Sequence, residues 1–412
     1  MRSGAAPAPR RPWQGRHLVL GVTGGIAAYK VAQLGRDLTQ LGALVDVVLT
    51  RAAREFIGPV TFEALTGRPV FHDIFEPGHA LDHIRLAREA DLVCVAPATA
   101  DFLARAAAGR ADDLLTAILL ATRAPVLLCP AMNDRMYAHA QTQANLRHLH
   151  QALGYEILGP ALGPLAFGEG EGPGRLEEPD VMAETIGRAL EGDTPYRGRS
   201  LVVTAGPTRE ALDPVRFLSN RSSGRMGFAL AAAAWRRGAG VLLVSGPTLL
   251  EPPPGPRLQR VETAEEMTAA VRAALPGADA LLMAAAVADF RPAGRAGQKI
   301  KKEAMPTAID LEPAPDVLVC TQDAWPRGLA VVGFALETGD GLASARRKLK
   351  SKNLDLVVLN SALEPGAGFE VDTNRVVMLG RDGREDALPL LSKHAVAEAV
   401  LDRLETLLPK RA

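Results

Sequence analysis

The sequence predicts an α/β protein of two domains, each a mostly parallel sheet covered by helices. At 412 residues the chain is too long for one ordinary core and suits two of roughly 200 residues each. A hydrophobic content of 47% with only 4% aromatics means cores of Ala, Val and Leu, the filling of buried parallel strands under Ala-rich helices. Short apolar runs, each followed by a Gly- or Pro-containing turn and then by helical periodicity, recur in both halves. Together these features predict two Rossmann-like domains.

The N-terminal stretch through residue 15 is rich in Pro and Arg, lacks the apolar middle of a secretory signal and reads as a flexible tail. HLVLGV (His17 to Val22) is a strand, and TGGIAAYKVAQLGRDLTQLG is the turn and helix after it. Gly24 and Gly25 stand at that helix N-terminus, where free N–H groups and the dipole favour a phosphate, although a tight structural turn would use the same residues. ALVDVVLT, DLVCVAP and APVLLCP repeat the strand pattern. Thr50 and the PATAD run from Pro97 to Asp101 end such strands, where ligands of doubly wound sheets collect, so the first half is expected to hold a phosphate-bearing cofactor.

Seven of the eight histidines lie in this half, which places any imidazole chemistry here, with His83 the candidate base ahead of a buried strand. Asn133 ends PAMN, where its amide can either hold a carboxylate or cap the next helix. Leu158 to Pro179 is too rich in Gly and Pro for a helix or strand and too long for an idle connector, so it reads as a mobile functional flap. Residues 191–199 read as the linker.

The pattern restarts at Leu201. TAGPTREALDPVRFLSNRSSGRMG can wrap an anion with backbone N–H groups and Arg216, Arg221 and Arg225. Lys299 to Lys302 and Lys348, Lys350 and Lys352 form either a solvated face or, if they converge on strand ends, a polyphosphate clamp.

Lys plus Arg and Asp plus Glu number 47 each, so no net field is available for nucleic acid or an anionic membrane, and neither partner is expected. Cys94, Cys129 and Cys320 lack CxxC spacing, which supports neither a disulfide framework nor structural zinc and fits a reducing cytoplasm. The longest apolar candidate, LLTAILLATRAPVLLCPA, is broken by Arg123 and Pro125, short of the roughly 18 residues a membrane span needs.

From about His17 to Leu408 these motifs resemble the bifunctional phosphopantothenoylcysteine decarboxylase/phosphopantothenate–cysteine ligase family of bacterial coenzyme A biosynthesis. GVTGGIAAYK, DHIRLAREADLVCVAPATADFLARAAAGRADDLL and PAMNDRMY are similar to its flavin-binding Cys decarboxylase part. TAGPTREALDPVRFLSNRSSGRMG, AAAVADFRP, KIKK, APDVL, VGFALET and KLKSKNLDLVVLN are similar to its ligase part. The resemblance implies a flavodoxin-like flavoprotein domain over 16–190 and an α/β ligase domain over 200–412.

For the first domain it implies FMN held by Gly24, Gly25, Ile26, Thr50, Pro97, Ala98 and Thr99, His83 as base, and Asn133 with Met132 clamping the substrate carboxylate. A flavin is needed because direct loss of CO2 would leave an unstabilised carbanion, whereas prior oxidation of the CH2–SH side gives a thioaldehyde that accepts the electrons. For the second domain the resemblance implies attack of a carboxylate on the α-phosphate of CTP and displacement of CMP by the amine of cysteine. Asn220 and Arg216 would handle 4'-phosphopantothenate and its acyl-cytidylate, and Lys299 would neutralise the triphosphate. Met283, Ala284, Ala285, Asp289, Pro315, Asp316, Val317, Leu318, Phe334, Lys348 and Lys352 would line the CTP site, with Mg2+ bridging the phosphates. The resemblance also implies a homo-oligomer in which trimers of the first domain and dimers of the second build a dodecamer.

One departure from the family stands in the flap. Where the family carries a cysteine proton donor in an A-C-G context, this chain has Ala166, Phe167 and Gly168, and Phe167 has no proton to donate. Glu169, Glu171 or water takes over, or the chain stops at the oxidised enethiol. An oxidative flavin decarboxylase would leave the second half unexplained, and retention of His83 and Asn133 speaks against a non-catalytic flavoprotein regulator.

Overall fold

The computed structural model describes residues 11–75, 80–301, 308–337, 341–361 and 372–409, which leaves His79 and Lys302 outside the described residues. The chain divides into two compact units that meet between Gly192 and Asp193.

In the first unit β1 (His17–Val22), β2 (Leu44–Leu49), β3 (Val70–Phe71), β4 (Leu92–Ala98), β5 (Val126–Pro130) and β6 (Glu156–Ile157) form one parallel sheet in the order β3-β2-β1-β4-β5-β6. The winding reverses between β1 and β4, so the turns after these strands splay apart and leave a crevice at their carboxyl ends. The helices are α1 (Ala28–Gln40), α2 (Pro59–Thr66), α3 (Asp82–Glu89), α4 (Ala100–Ala107), α5 (Leu114–Ala121), α6 (Asp134–Ala138), α7 (Ala140–Gln151) and α8 (Pro179–Glu191). Val31, Leu34 and Leu38 of α1 recur at helical spacing and pack with Met182 and Ile186 of α8 on one face of the sheet. Leu86, Phe102, Leu115, Ile118 and Leu149 bury the other.

Three boundaries differ from the sequence expectation. Trp13, placed in the flexible tail, is buried, and its indole N–H donates to Ala183 O at 3.0 Å, so residues 11–15 belong to the first unit, while residues 1–10 lie outside the described residues. A buried indole needs both an apolar pocket and an acceptor, and α8 supplies them. Tyr196, placed in the linker, is fully buried in the second unit, so residues 193–199 belong to that unit. The flap is not free of strand structure, because β7 (Ala161–Pro164) and β8 (Glu171–Arg175) pair as an antiparallel hairpin.

The second unit contains β9 (Ser200–Ala205), β10 (Arg209–Ala211), β11 (Phe217–Ser219), β12 (Gly240–Ser245), β13 (Arg257–Arg260), β14 (Ala280–Met283), β15 (Phe290–Pro292), β16 (Leu311–Pro313) and β17 (Ala330–Glu337). β18 (Leu356–Ser361), β19 (Thr373–Asn374), β20 (Val376–Gly380), β21 (Glu385–Ala387) and β22 (Leu391–Ser392) complete its strands. Its helices are α9 (Arg225–Arg236), α10 (Ala264–Ala274), α11 (Val317–Thr321), α12 (Gly341–Ser351) and α13 (Lys393–Glu405).

The main sheet runs β13-β12-β9-β14-β17-β18-β20-β21, parallel through β18 and antiparallel beyond it. Here the winding reverses between β9 and β14. Residues of α9 and α13 bury one face, and residues of α10, α11 and α12 the other. All three cysteines are free thiols, and no helix among the described residues is long and apolar enough to cross a membrane.

Candidate functional site

Three strand-to-helix turns meet at the carboxyl edge of the first sheet. Gly24 touches the turn after β2 so closely that a Cβ there would lie 2.4 Å from the Cβ of Ala52, so only glycine lets the two turns close. Thr23 Oγ1 donates to Pro97 O at 2.6 Å and accepts from Thr99 N at 3.2 Å, which ties the turn after β1 to the turn after β4. Thr50 is buried; its N–H donates to Val22 O at 3.0 Å, and its hydroxyl accepts from Ala53 N at 3.2 Å. Gly25 is less crowded, with a Cβ meeting Pro97 and Thr99 at 3.5 and 3.6 Å.

Ala27, the residue ahead of α1, offers no side-chain cap, and no acidic residue stands in the first turn. Ala28 N and Lys30 N donate to Gly25 O and Ala27 O at 3.0 Å each, so the other amides of this turn and the positive end of the dipole remain for an anion. This donor set fits the phosphate of a flavin nucleotide, with Ile26 exposed beside it and Ala98 buried at the end of β4.

His83 is the second residue of α3 and stands apart from this hydrogen-bonded set. Its Nδ1 is buried without a partner among the described residues, because the neighbouring Asp82 pairs with Arg85 at 3.2 Å instead. Asn133 performs the capping role, its Oδ1 accepting from Arg135 N at 2.9 Å. Its Nδ2 keeps no partner among the described residues and remains able to donate to a carboxylate.

The base of the flap rests on the same turn. Met132 N donates to Gly174 O at 3.0 Å, and a Cβ at residue 174 would lie 2.1 Å from Met132 O. Gly174→Ala is expected to push β8 off that turn at a cost of about 1 to 3 kcal/mol. Decarboxylation should fall about tenfold with ligation unchanged, and parallel assays of the two reactions check it. At the tip, Phe167, Glu169 and Glu171 are exposed.

The second crevice is a cavity of about 550 Å³ in the second unit. Met283, Ala284, Ala285, Asp289, Pro315, Asp316, Val317, Leu318, Phe334, Lys348 and Lys352 all line it, together with Asn220. The lysine run divides by helical spacing. Lys348 and Lys352, four apart, face the cavity, whereas Lys350 is exposed. Lys348 Nζ donates to Phe334 O at 2.6 Å, and Lys352 pairs with Asp316 at 2.5 Å. Asn220 Nδ2 donates to Ala286 O at 3.3 Å and Val287 O at 2.9 Å, and its Oδ1 has no partner among the described residues.

Two expected residues do not line the cavity. Arg216 is held by Asp213 at 2.5 Å and donates to Ile300 O at 2.8 Å, while Asp213 also accepts from Ile300 N at 3.2 Å. The hydrogen bond from Arg216 keeps the Asp213 carboxyl well below the usual carboxylate range. This pair fixes the backbone next to Lys299, which is itself exposed, as is Arg221. Sequence reasoning missed Ser222, Ser223, Asn360, Asn374 and Lys393, all of which line the cavity.

Residues 8–190 match the family model described as Flavoprotein, and residues 196–408 match the one described as DNA/pantothenate metabolism flavoprotein C-terminal domain. Fold and sites therefore define a two-unit α/β flavoprotein. The chain is 45% identical over 398 residues to the coenzyme A biosynthesis bifunctional protein CoaBC of Vibrio vulnificus (strain YJ016), covering 96% of this chain and 98% of the relative. It is 47% identical over 409 residues to the CoaBC of Mycobacterium bovis (strain ATCC BAA-935 / AF2122/97), covering 95% and 97%. A crystal structure of the C-terminal domain of a CoaBC protein matches 52% of this chain and 98% of its own length at 37% identity, with a TM-score of 0.45. The chain belongs to the family of bifunctional coenzyme A biosynthesis proteins, enzymes with phosphopantothenate–cysteine ligase and phosphopantothenoylcysteine decarboxylase activities.

Proposed function

We propose that the second unit joins cysteine to 4'-phosphopantothenate with CTP, and that the first unit decarboxylates the product with FMN. What carries this reading is the cavity of the second unit, where every residue expected for CTP except Lys299 lines one space at a strand-order reversal. Lys348 and Lys352 present two ammonium groups to the triphosphate, whose oxygens compete with Asp316 for Lys352. The substrate carboxylate oxygen attacks the α-phosphorus and pyrophosphate leaves. The amine of cysteine then attacks the acyl carbon, CMP leaves, and the nitrogen loses a proton. Asn220 Oδ1, oriented by the two carbonyls its Nδ2 serves, accepts from that amine and aims its lone pair at the acyl carbon.

Asp289 is exposed, and no described residue pairs with its carboxylate, so it is available to a Mg2+ ion held mainly by phosphate oxygens. Lys299 approaches the triphosphate from the backbone anchored by Asp213 and Arg216. Lys299→Gln is expected to lower ligase turnover about 10- to 100-fold without unfolding the unit. Near-normal amide formation by that variant would remove Lys299 from the mechanism.

In the first unit, bound FMN supplies a two-electron acceptor and donor that keeps loss of CO2 from leaving an unstabilised carbanion. Its phosphate rests on the amides after β1, with Gly24, Gly25, Ile26, Thr50, Pro97, Ala98 and Thr99 shaping the pocket. The imidazole of His83 takes the substrate proton. Asn133 Nδ2 holds the departing carboxylate through a neutral amide, and so adds no counter-charge that would favour the ionised ground state over CO2. At the flap tip Glu169 or Glu171 returns a proton in place of Phe167.

Ile26, Tyr29, Val60, Phe75 and Leu81 leave apolar surface open on the first unit, which supports assembly into trimers that dimers of the second unit join into a dodecamer in the cytoplasm. Incubation with 4'-phosphopantothenate, cysteine and CTP together is expected to yield 4'-phosphopantetheine, and omission of any one should yield none. Accumulation of the oxidised enethiol with bleached flavin would overturn the substitute flap donor.

A further inference from the structure

The flap of the first unit carries little in its own sequence that fixes how it pairs. β7 (ALGP) and β8 (EGPGR) hold three glycines and two prolines, and register in glycine-rich strands is weakly specified. The ladder itself is irregular. Ala161 faces Arg175 and Leu162 faces Pro173, so Gly174 is an extra residue at the base of the hairpin. Gly172 and Gly174 are buried against the segment that bears Met132, Asn133 and Asp134, whereas Glu171 and Pro173 are exposed. A slip of one residue would exchange these faces and carry Glu171 with them.

A contact from outside the hairpin sets its register. Lys30 is the third residue of α1 and only 8% exposed. Its ammonium crosses to the exit of the flap, donating to Leu176 O at 3.2 Å and to Glu178 Oε1 at 2.9 Å. Glu178 also accepts from Arg175 Nη2 at 2.5 Å, so one carboxylate gathers the last residue of β8 and a buried lysine of α1. Leu176 packs its side chain in the same core as Val31 and Leu34 of α1, which fixes where the strand ends. The bond to its carbonyl fixes how the backbone is turned there, two residues past the extra glycine.

Stability alone does not account for this lysine. Burying an ammonium costs desolvation, and an apolar residue would hold α1 against the strand exit without that cost. The same helix presents its N-terminal amides to the flavin phosphate, so Lys30 references the flap to the element that holds the cofactor.

We propose that Lys30 is a positioning residue for the second half of decarboxylation, setting the register of the flap so that a flap carboxyl reaches the carbon that has lost CO2. This rests on reading the flap as the source of the returned proton. In that step an O–H of Glu169 or Glu171 breaks and a C–H bond forms at that carbon. The enethiolate thereby becomes a thioaldehyde, which accepts hydride from the reduced flavin and becomes the thiolate. Proton removal and loss of CO2, the first half, use His83 on α3 and Asn133 ahead of α6, neither of which is a partner of Lys30.

The test is an anaerobic single turnover of phosphopantothenoylcysteine by the flavin-loaded full chain and by Lys30→Met, which keeps the apolar stem and removes the charge. Release of CO2 should stay within about threefold of wild type while the ratio of 4'-phosphopantetheine to enethiol falls about tenfold, because only the step that needs the flap is misaligned. Hydrogen exchange supplies a readout independent of turnover. Amides in peptides covering 158–179 should exchange about tenfold faster in the variant, with those of α4 and α7 unchanged. Glu178→Gln, on a half-exposed side chain, keeps an acceptor oxygen but loses the charge. It should move both readouts in the same direction by less and covers the case that Lys30→Met fails to fold. A folded Lys30→Met with wild-type product ratio and exchange overturns the proposal, as does CO2 release that falls in step with product. Faster flap exchange with an unchanged product ratio is resolved by the Glu169→Gln/Glu171→Gln double variant. If the double variant lowers the ratio, the positioning role of Lys30 falls; if it does not, the flap-donor reading falls and the register contact stands.

Discussion

Replacement of His83 by Asn is expected to slow decarboxylation of phosphopantothenoylcysteine by about 10²- to 10⁴-fold, the range a positioned proton acceptor supplies. Asparagine retains the length and much of the polarity of imidazole but has no nitrogen that accepts a proton near neutral pH. The size of the effect follows from the isolation of the ring. Its Nδ1 is buried without a partner among the described residues, and the one adjacent carboxylate, Asp82, is occupied by Arg85. Nothing described next to it stands ready to take over the proton. None of the hydrogen bonds joining the turns after β1, β2 and β4 involves His83, so flavin content should not change, and ligation should continue at the wild-type rate. Single-turnover consumption of substrate under anaerobic conditions checks the prediction. A rate within tenfold of wild type would require a different base.

The parts of the molecule that were legible in the sequence are those encoded by local pattern. VLLCP and LVCVAPA read as buried strands because apolar runs end on proline, and they are β5 and β4. Lys348 and Lys352 separate from Lys350 through the helical repeat alone. What escaped depended on residues far apart in the chain or on signals that local composition hides. Trp13 is ordered by a carbonyl of α8, 170 residues away. The flap composition argued against strands, yet two of its glycines serve close approach, Gly172 to Asp134 and Gly174 to Met132, which larger residues would block. Two signals were present and went unused. DPVR places Asp213 three residues before Arg216, a spacing that favours a local ion pair and removes the arginine from the list of free anion binders. Ser392 followed by Lys393 puts a cation at the end of a helix where the dipole disfavours it, a local signal for an unusual position.

Glu398→Gln is expected to destabilise the second unit by about 3 to 5 kcal/mol, the effect of removing one partner from a buried charge cluster. Glu398 is buried on α13 and binds two consecutive guanidiniums, that of Arg236 and that of Arg237, the latter at 2.6 and 2.9 Å. Burial works against the charge of Arg237, and Glu398 and Asp402 outweigh it, so that its pKa stands above the usual arginine value. Glutamine preserves the shape but removes the carboxylate charge that two adjacent cations share, while Asp402, 2.8 Å from Arg237, is partly solvated. In calorimetry of the full chain the transition of the second unit should fall by roughly 6 to 20 °C while that of the first unit stays in place. Apolar replacement of Arg236, Arg237 and Glu398 together should recover most of the loss, because it removes the desolvation penalty along with the attraction. A Glu398→Gln transition within 2 °C of wild type would show that the cluster contributes little. The same cluster locks α9 against α13, and these helices begin at Arg225 and Lys393.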